Sequence, residues 1–190
     1  MEGIEASNES QNVFTFQFVQ DAILSRYPSC AYELLDDFVR MILFDAIVGN
    51  NDRHFFNWGV VEHPEGKQRP RFSPIYDTAR AFFWNTSERK LQVLYRDQSQ
   101  YQRKIEDYVK RSKPKIGWDD SHELNHFRLV ENLYDCSEQW RSVIEAFERG
   151  KILKGAESLL CEGEFSNLMS DLRKRVVLDT LTARLNFLGF

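Results

Sequence analysis

Asp52 and Asn57 stand five positions apart in Gly49-Asn50-Asn51-Asp52-Arg53-His54-Phe55-Phe56-Asn57, a polar stretch set between apolar ones. This D-x-x-x-x-N offset is the one at which a phosphoryl-transfer loop sets a base beside the attacking hydroxyl and a metal-binding amide beside the phosphates. A lone carboxylate follows at Asp77, at the end of Phe72-Ser73-Pro74-Ile75-Tyr76-Asp77, where such a site needs its second metal ligand. The chemistry calls for this set because the transition state spreads negative charge over oxygens that magnesium neutralises, while an oriented carboxylate receives the proton. His54 could also act as a base near neutrality, or it could hold the loop through a hydrogen bond. The offset to Asn57 assigns the base to Asp52. Arg53 and Arg80 either flank the phosphates or pair with a nearby acid such as Asp45.

The loop must be carried by something rigid. From Ala31 to Val48 the apolar residues begin as a stripe, Leu34, Leu35, Phe38, Val39, and then lie on nearly every side, through Met41, Ile42, Leu43, Phe44, Ala46 and Ile47. This is a helix with a buried second half, and Gly49 supplies the left-handed residue that stops it. Phe38, Ile42, Phe44 and Ile47 are the expected floor beneath the loop. Trp58 to Val61 and Arg71-Phe72 read as two short strands around a turn at residues 63–67, and a hairpin there returns Asp77 towards Asn57.

Elsewhere helices dominate. One runs to about Arg26 and is closed by Pro28; Asp120 is placed to cap another through Leu133; Ser137 to cap a third that reaches Gly150; and a last one runs from about Leu168 to Leu188. Residues 78–118 read as mixed loop and helix, with the basic stretch Arg103 to Lys115 as a solvated face. Residues 1–12 are polar and read as a mobile tail before a single domain over 13–190. The expected fold is mainly α with a short β-hairpin beside the loop.

Composition narrows the function classes. The 190 residues are 42% hydrophobic and 14% aromatic, enough for a sizeable core. A net charge of -4 argues against a phosphate-backbone binder, so no direct nucleic-acid contact is expected. Cys30, Cys136 and Cys161 are widely spaced and suit a reducing, cytoplasmic setting, not a disulfide framework or a zinc site. No run of roughly eighteen apolar residues occurs and the acidic start lacks a signal-peptide pattern, so no membrane association is expected. A hydrolytic metal centre would need several His and carboxylate ligands; of the four histidines only His122 and His126 are spaced to share a helix face, and both suit surface or capping roles better.

Gly49-Asn50-Asn51-Asp52-Arg53-His54-Phe55-Phe56-Asn57 with Ser73-Pro74-Ile75-Tyr76-Asp77 resembles the G-N-x-D-x-H-x-x-N loop and P-x-Y-D segment of the HipA-like serine/threonine kinases. More distantly, Asp52-Arg53-His54 with Asn57 is similar to the catalytic loop of phosphatidylinositol kinases. The resemblance runs over about residues 14 to 190 and implies the carboxy-terminal, mostly helical lobe. It further implies ATP and magnesium as cofactors, Asp52 as catalytic acceptor, His54, Asn57 and Asp77 in cofactor binding with Asn57 and Asp77 on the metal, and a serine or threonine of a protein as substrate. The family includes toxin kinases that act on aminoacyl-tRNA synthetases and are held in check by a DNA-binding antitoxin, so an antitoxin-type partner is a second expectation.

The nucleotide-covering lobe usual in kinases brings a glycine-rich loop and a lysine. Here only Gly3 precedes Gly49 and no lysine precedes Lys67. The expectation is therefore a chain weak or inactive alone, which acts either as one half of a split kinase with a separate amino-terminal-lobe partner or as a non-catalytic remnant that binds proteins.

Overall fold

The computed structural model describes residues 14–189, so the expected tail over 1–12 and the domain start at 13 lie outside the described residues. Thr15 opens the fold by accepting a hydrogen bond from the Phe18 N–H, and α1 (Phe16–Arg26) buries Phe16, Val19 and Ile23. Its partner is α2 (Ala31–Val48), the central helix, with Leu35, Phe38, Val39, Met41 and Ala46 wholly out of solvent. The all-round apolar second half explains this: it is covered on one side by α1 and on others by the later helices. Phe44, expected in the floor, is only partly buried.

Gly49 ends α2 at φ 72°, and its N–H closes on the Asp45 carbonyl at 2.8 Å. A side chain could not be added here. A Cβ would lie 2.7 Å from the Tyr108 hydroxyl, quite apart from the backbone strain at that φ. After the loop come β1 (Val60–Val61) and β2 (Arg71–Phe72), antiparallel with Val60 opposite Phe72. The hairpin is seated by aromatic packing. Trp58 and Phe72 stack at 5.8 Å between ring centroids, and Phe38 of α2 meets Trp58 at 4.7 Å.

The segment least legible in the sequence is largely helical: α3 (Glu88–Arg96), capped by Ser87, and α4 (Gln98–Arg111), capped by Asp97. Both pack through Leu91, Tyr101, Ile105 and Val109 against α8 (Asp171–Leu188), forming a second apolar cluster with Phe83, Phe127 and Val176. The remaining helices, α5 (His126–Cys136), α6 (Glu138–Glu145) and α7 (Arg149–Glu157), close the other side.

Three helix boundaries differ from the sequence expectation. α5 starts at His126, not near Asp120, because Trp118 and Ser121 exchange two hydrogen bonds across a tight turn with Asp119 at φ 46°, leaving Asn125 to cap at the Arg128 N–H. The helix after Ser137 stops at Glu145, short of Gly150, and Ser137 sits at its start without a side-chain cap. Leu168 is exposed and precedes α8, which is capped by Ser170. The mainly helical fold with one small hairpin is as expected. Among the described residues no helix is long and apolar enough to cross a membrane.

Candidate active site

Everything at the loop is referred to one buried ion pair. Arg53 reaches back to Asp45 of α2 with two hydrogen bonds, Nε to Oδ2 at 2.7 Å and Nη2 to Oδ1 at 2.8 Å, and both side chains are almost wholly buried. Asn50, also buried, adds a third donor to Asp45 Oδ1 at 3.0 Å. Burial pushes the Asp45 carboxyl up, against the pull of the Arg53 guanidinium and the Asn50 amide. The sequence left Arg53 between a phosphate contact and an ion pair; the geometry gives the ion pair.

The remaining nitrogen of Arg53 ties two distant parts of the chain together. Nη1 donates to the main-chain carbonyls of Asn57 and Tyr76, 2.6 Å from each. Tyr76 is tied a second time, its hydroxyl donating to the Phe56 carbonyl at 2.9 Å. The main chain at residues 56–57 and at Tyr76 is therefore drawn together, which brings Asp77, the next residue, back towards Asn57.

Asn57 is itself buried, and its amide nitrogen donates to the Asp52 carbonyl at 2.8 Å, which orients the amide oxygen away from that bond. Asp77 is exposed at φ 53°, a backbone region that non-glycine residues rarely occupy. Among the described residues its carboxylate has no hydrogen-bond or ion-pair partner. An amide oxygen and a free carboxylate oxygen at one edge are hard donors of the kind magnesium accepts, and magnesium commonly takes only one or two protein ligands beside phosphate and water. The donor set fits. His54 serves the loop itself: its Nδ1 accepts from the Phe56 N–H at 3.3 Å and starts the short turn Phe55–Asn57.

Asp52 is held differently. Lys115 Nζ lies 2.6 Å from its Oδ1 and Arg80 Nε 3.0 Å from its Oδ2, so each carboxylate oxygen faces a cation. Arg80 thus pairs with Asp52, not with Asp45, and its guanidinium also lies 5.5 Å over the exposed Trp84 ring. Lys115 was missed in the sequence, where it closed a stretch read as a solvated face. That reading holds for Lys110 and Arg111 on α4, but Lys115 is turned inward by its anchors on either side. Tyr108 and Ser112 donate to the Gly49 carbonyl at 2.9 and 3.3 Å, and Gly117 bonds Phe14 at 2.8 Å. A lone lysine beside Pro114 carries no sequence signal of this.

Behind the loop sits a second buried polar group, one for which the sequence suggested a surface or capping role. His126 is wholly buried beside the Asn50 backbone, and burial, aided by the nearby Arg184 cation, keeps its imidazole neutral. Arg184 donates to the Ala46 carbonyl at 2.7 Å, satisfying one of the orphan carbonyls at the end of α2, and lies 4.9 Å over the Phe127 ring. Burial brings its guanidinium down to about 10, still a cation at neutral pH. Among the described residues no three His, Cys, Asp or Glu side chains are gathered around one point.

Residues 6–149 match the family model of the HipA-like C-terminal domain. No curated protein sequence matches the chain. Among solved structures, the crystal structure of a Helicobacter pylori proinflammatory kinase, CtkA, is similar in fold over 92% of this chain, with a TM-score of 0.69 at 17% identity. The chain spans 60% of the length of that kinase structure.

Proposed function

Because the chain belongs to the HipA-like C-terminal domain family, we propose that it is the catalytic lobe of a serine/threonine protein kinase, transferring the γ-phosphoryl group of ATP to a protein hydroxyl with magnesium. The observation that carries this reading is the Arg53 guanidinium, which draws Asn57 and the Tyr76-Asp77 segment to one edge beside Asp52. In this reading Asp52 accepts the proton of the substrate hydroxyl as its oxygen bonds to the γ-phosphorus and the bond to the β-phosphate oxygen breaks, releasing ADP. Asn57 and Asp77 hold magnesium, which when bound neutralises charge on the phosphate oxygens. His54 lines the nucleotide while its Nδ1 keeps the loop in shape.

Closure over the phosphates falls to a glycine-rich, lysine-bearing lobe outside these residues, whether from another segment or a partner chain, which fits the 60% span of the similar kinase structure. A protein substrate, an antitoxin-type partner and a cytoplasmic setting belong to the same proposal through the family resemblance. One observation favours a second reading, a non-catalytic binding module: both oxygens of Asp52 are engaged by cations.

Titration with ATP, with and without magnesium, tests the first reading. Magnesium-dependent binding that falls when Asp77 is changed to Asn supports it; binding indifferent to both magnesium and that substitution would overturn it.

A further inference from the structure

Each oxygen of the Asp52 carboxylate faces a cation, with Lys115 Nζ at 2.6 Å and Arg80 Nε at 3.0 Å, and a substrate hydroxyl must reach one of those same oxygens. Resting on the kinase reading above, we infer that Lys115 and Arg80 are phosphate-binding residues that rest on Asp52 and leave it for the terminal phosphate of a nucleoside triphosphate, so that substrate binding frees the base.

Four features of the structure carry this. First, the clamp has an uncompensated charge: two cations meet one carboxylate, whereas the other arginine of the loop, Arg53, is matched by Asp45. Second, the side chains can move. Those of Arg80 and Lys115 are 50% and 34% exposed, against 2% for Arg53, so an exchange of partner needs no unfolding. Third, their backbones cannot move far. Lys115 lies between Ser112, bonded to Gly49, and Gly117, bonded to Phe14, while Arg80 lies two residues before Phe82, whose N–H donates to the Tyr108 hydroxyl at 2.9 Å. The two cations therefore stay beside the edge that Asn57 and Asp77 share. Fourth, a phosphate presents more charge and more acceptor oxygens than a carboxylate, and a guanidinium with a flexible ammonium is the pair that takes both geometries. Asn57 and Asp77 would hold the magnesium that neutralises charge on those oxygens.

Cations that read the terminal phosphate must contribute to ATP binding more than to ADP binding. Nuclear magnetic resonance titration of the full chain, following the Trp84 indole signal, reads dissociation constants into the millimolar range for MgATP and MgADP. For Lys115→Met and Arg80→Met the expected result is a roughly ten- to hundredfold loss of MgATP affinity with a smaller change for MgADP, the size of a lost charge-assisted contact. Lys115→Arg should recover most of it. Asp52→Asn, which removes the competing carboxylate, should tighten MgATP binding. An unchanged ATP-to-ADP ratio in Lys115→Met and Arg80→Met, with the wild type binding both nucleotides, overturns the inference and leaves the kinase reading standing. No binding of either nucleotide by the wild type, even when joined by a lobe that covers the phosphates, removes the kinase reading, and this inference with it.

Discussion

Arg53 donates to the main-chain carbonyl of Tyr76 at 2.6 Å, across twenty-three residues of sequence. The same guanidinium is anchored on Asp45, so the central helix dictates where the Asp77 segment lies. Removing one partner of a buried pair leaves the other uncompensated. Arg53→Met is therefore expected to cost about 3 to 5 kcal/mol in urea unfolding. It should also abolish magnesium-dependent nucleotide binding under conditions where the variant is still folded. A variant as stable as the wild type would show that the pair does not organise the loop.

His126 gives the protein an acid sensitivity of known sign. Its folded-state pKa is depressed by burial and by Arg184, so the unfolded chain takes up a proton first as pH falls. The stability it contributes is present above about 6.5 and is lost as pH drops towards its folded value, by up to ~1.4 kcal/mol per unit of pH. Unfolding free energies between pH 7.5 and 5.5 should decline in the wild type and decline less in His126→Leu. Parallel curves would assign the acid loss to other groups.

Gly49 is expected to tolerate no substitution. In Gly49→Ala the new methyl meets Tyr108, whose hydroxyl also accepts the Phe82 N–H, so strain at the helix end passes to the segment that carries Arg80. The backbone strain alone is worth about 1 to 3 kcal/mol. Thermal unfolding together with loss of protection at the Phe82 amide in hydrogen exchange would show both effects, and a lowered melting temperature with Phe82 fully protected would separate them.

Phe38 is wholly buried and meets both Trp58 and Phe72. Phe38→Ala should cost about 3 to 5 kcal/mol through the cavity it leaves. It should also unseat the hairpin, read as faster hydrogen exchange at Val60 and Phe72. Hairpin exchange at the wild-type rate would mean that its seat lies elsewhere.

What was legible in the sequence was whatever rests on local periodicity and turn chemistry. The helix from Ala31 to Val48, its stop at Gly49 and the strand at Arg71-Phe72 all depend on neighbours within a few residues and are where the sequence placed them, while the first strand, expected from Trp58, is confined to Val60-Val61. The same local logic brought Asp77 back to Asn57. The partners of Asp52 were not legible, because Lys115 reaches it through a helix that ends sixty residues after the loop begins, and nothing near Pro114 distinguishes an inward lysine from a solvated one. His126 was misplaced for a related reason. Its spacing from His122 suggested one helical face, but the turn at Trp118–Ser121 keeps His122 out of α5 and leaves His126 as its first residue, packed under Asn50.

The central claim is that Asp52 takes the proton of the attacking hydroxyl. It is tested most directly by phosphoryl transfer from γ-labelled ATP to a protein serine or threonine, measured with this chain joined by the lobe that covers the nucleotide, for the wild type and Asp52→Asn side by side with MgATP binding. The account predicts that Asp52→Asn abolishes transfer while MgATP binds at least as tightly as before. Transfer at the wild-type rate by Asp52→Asn would contradict it.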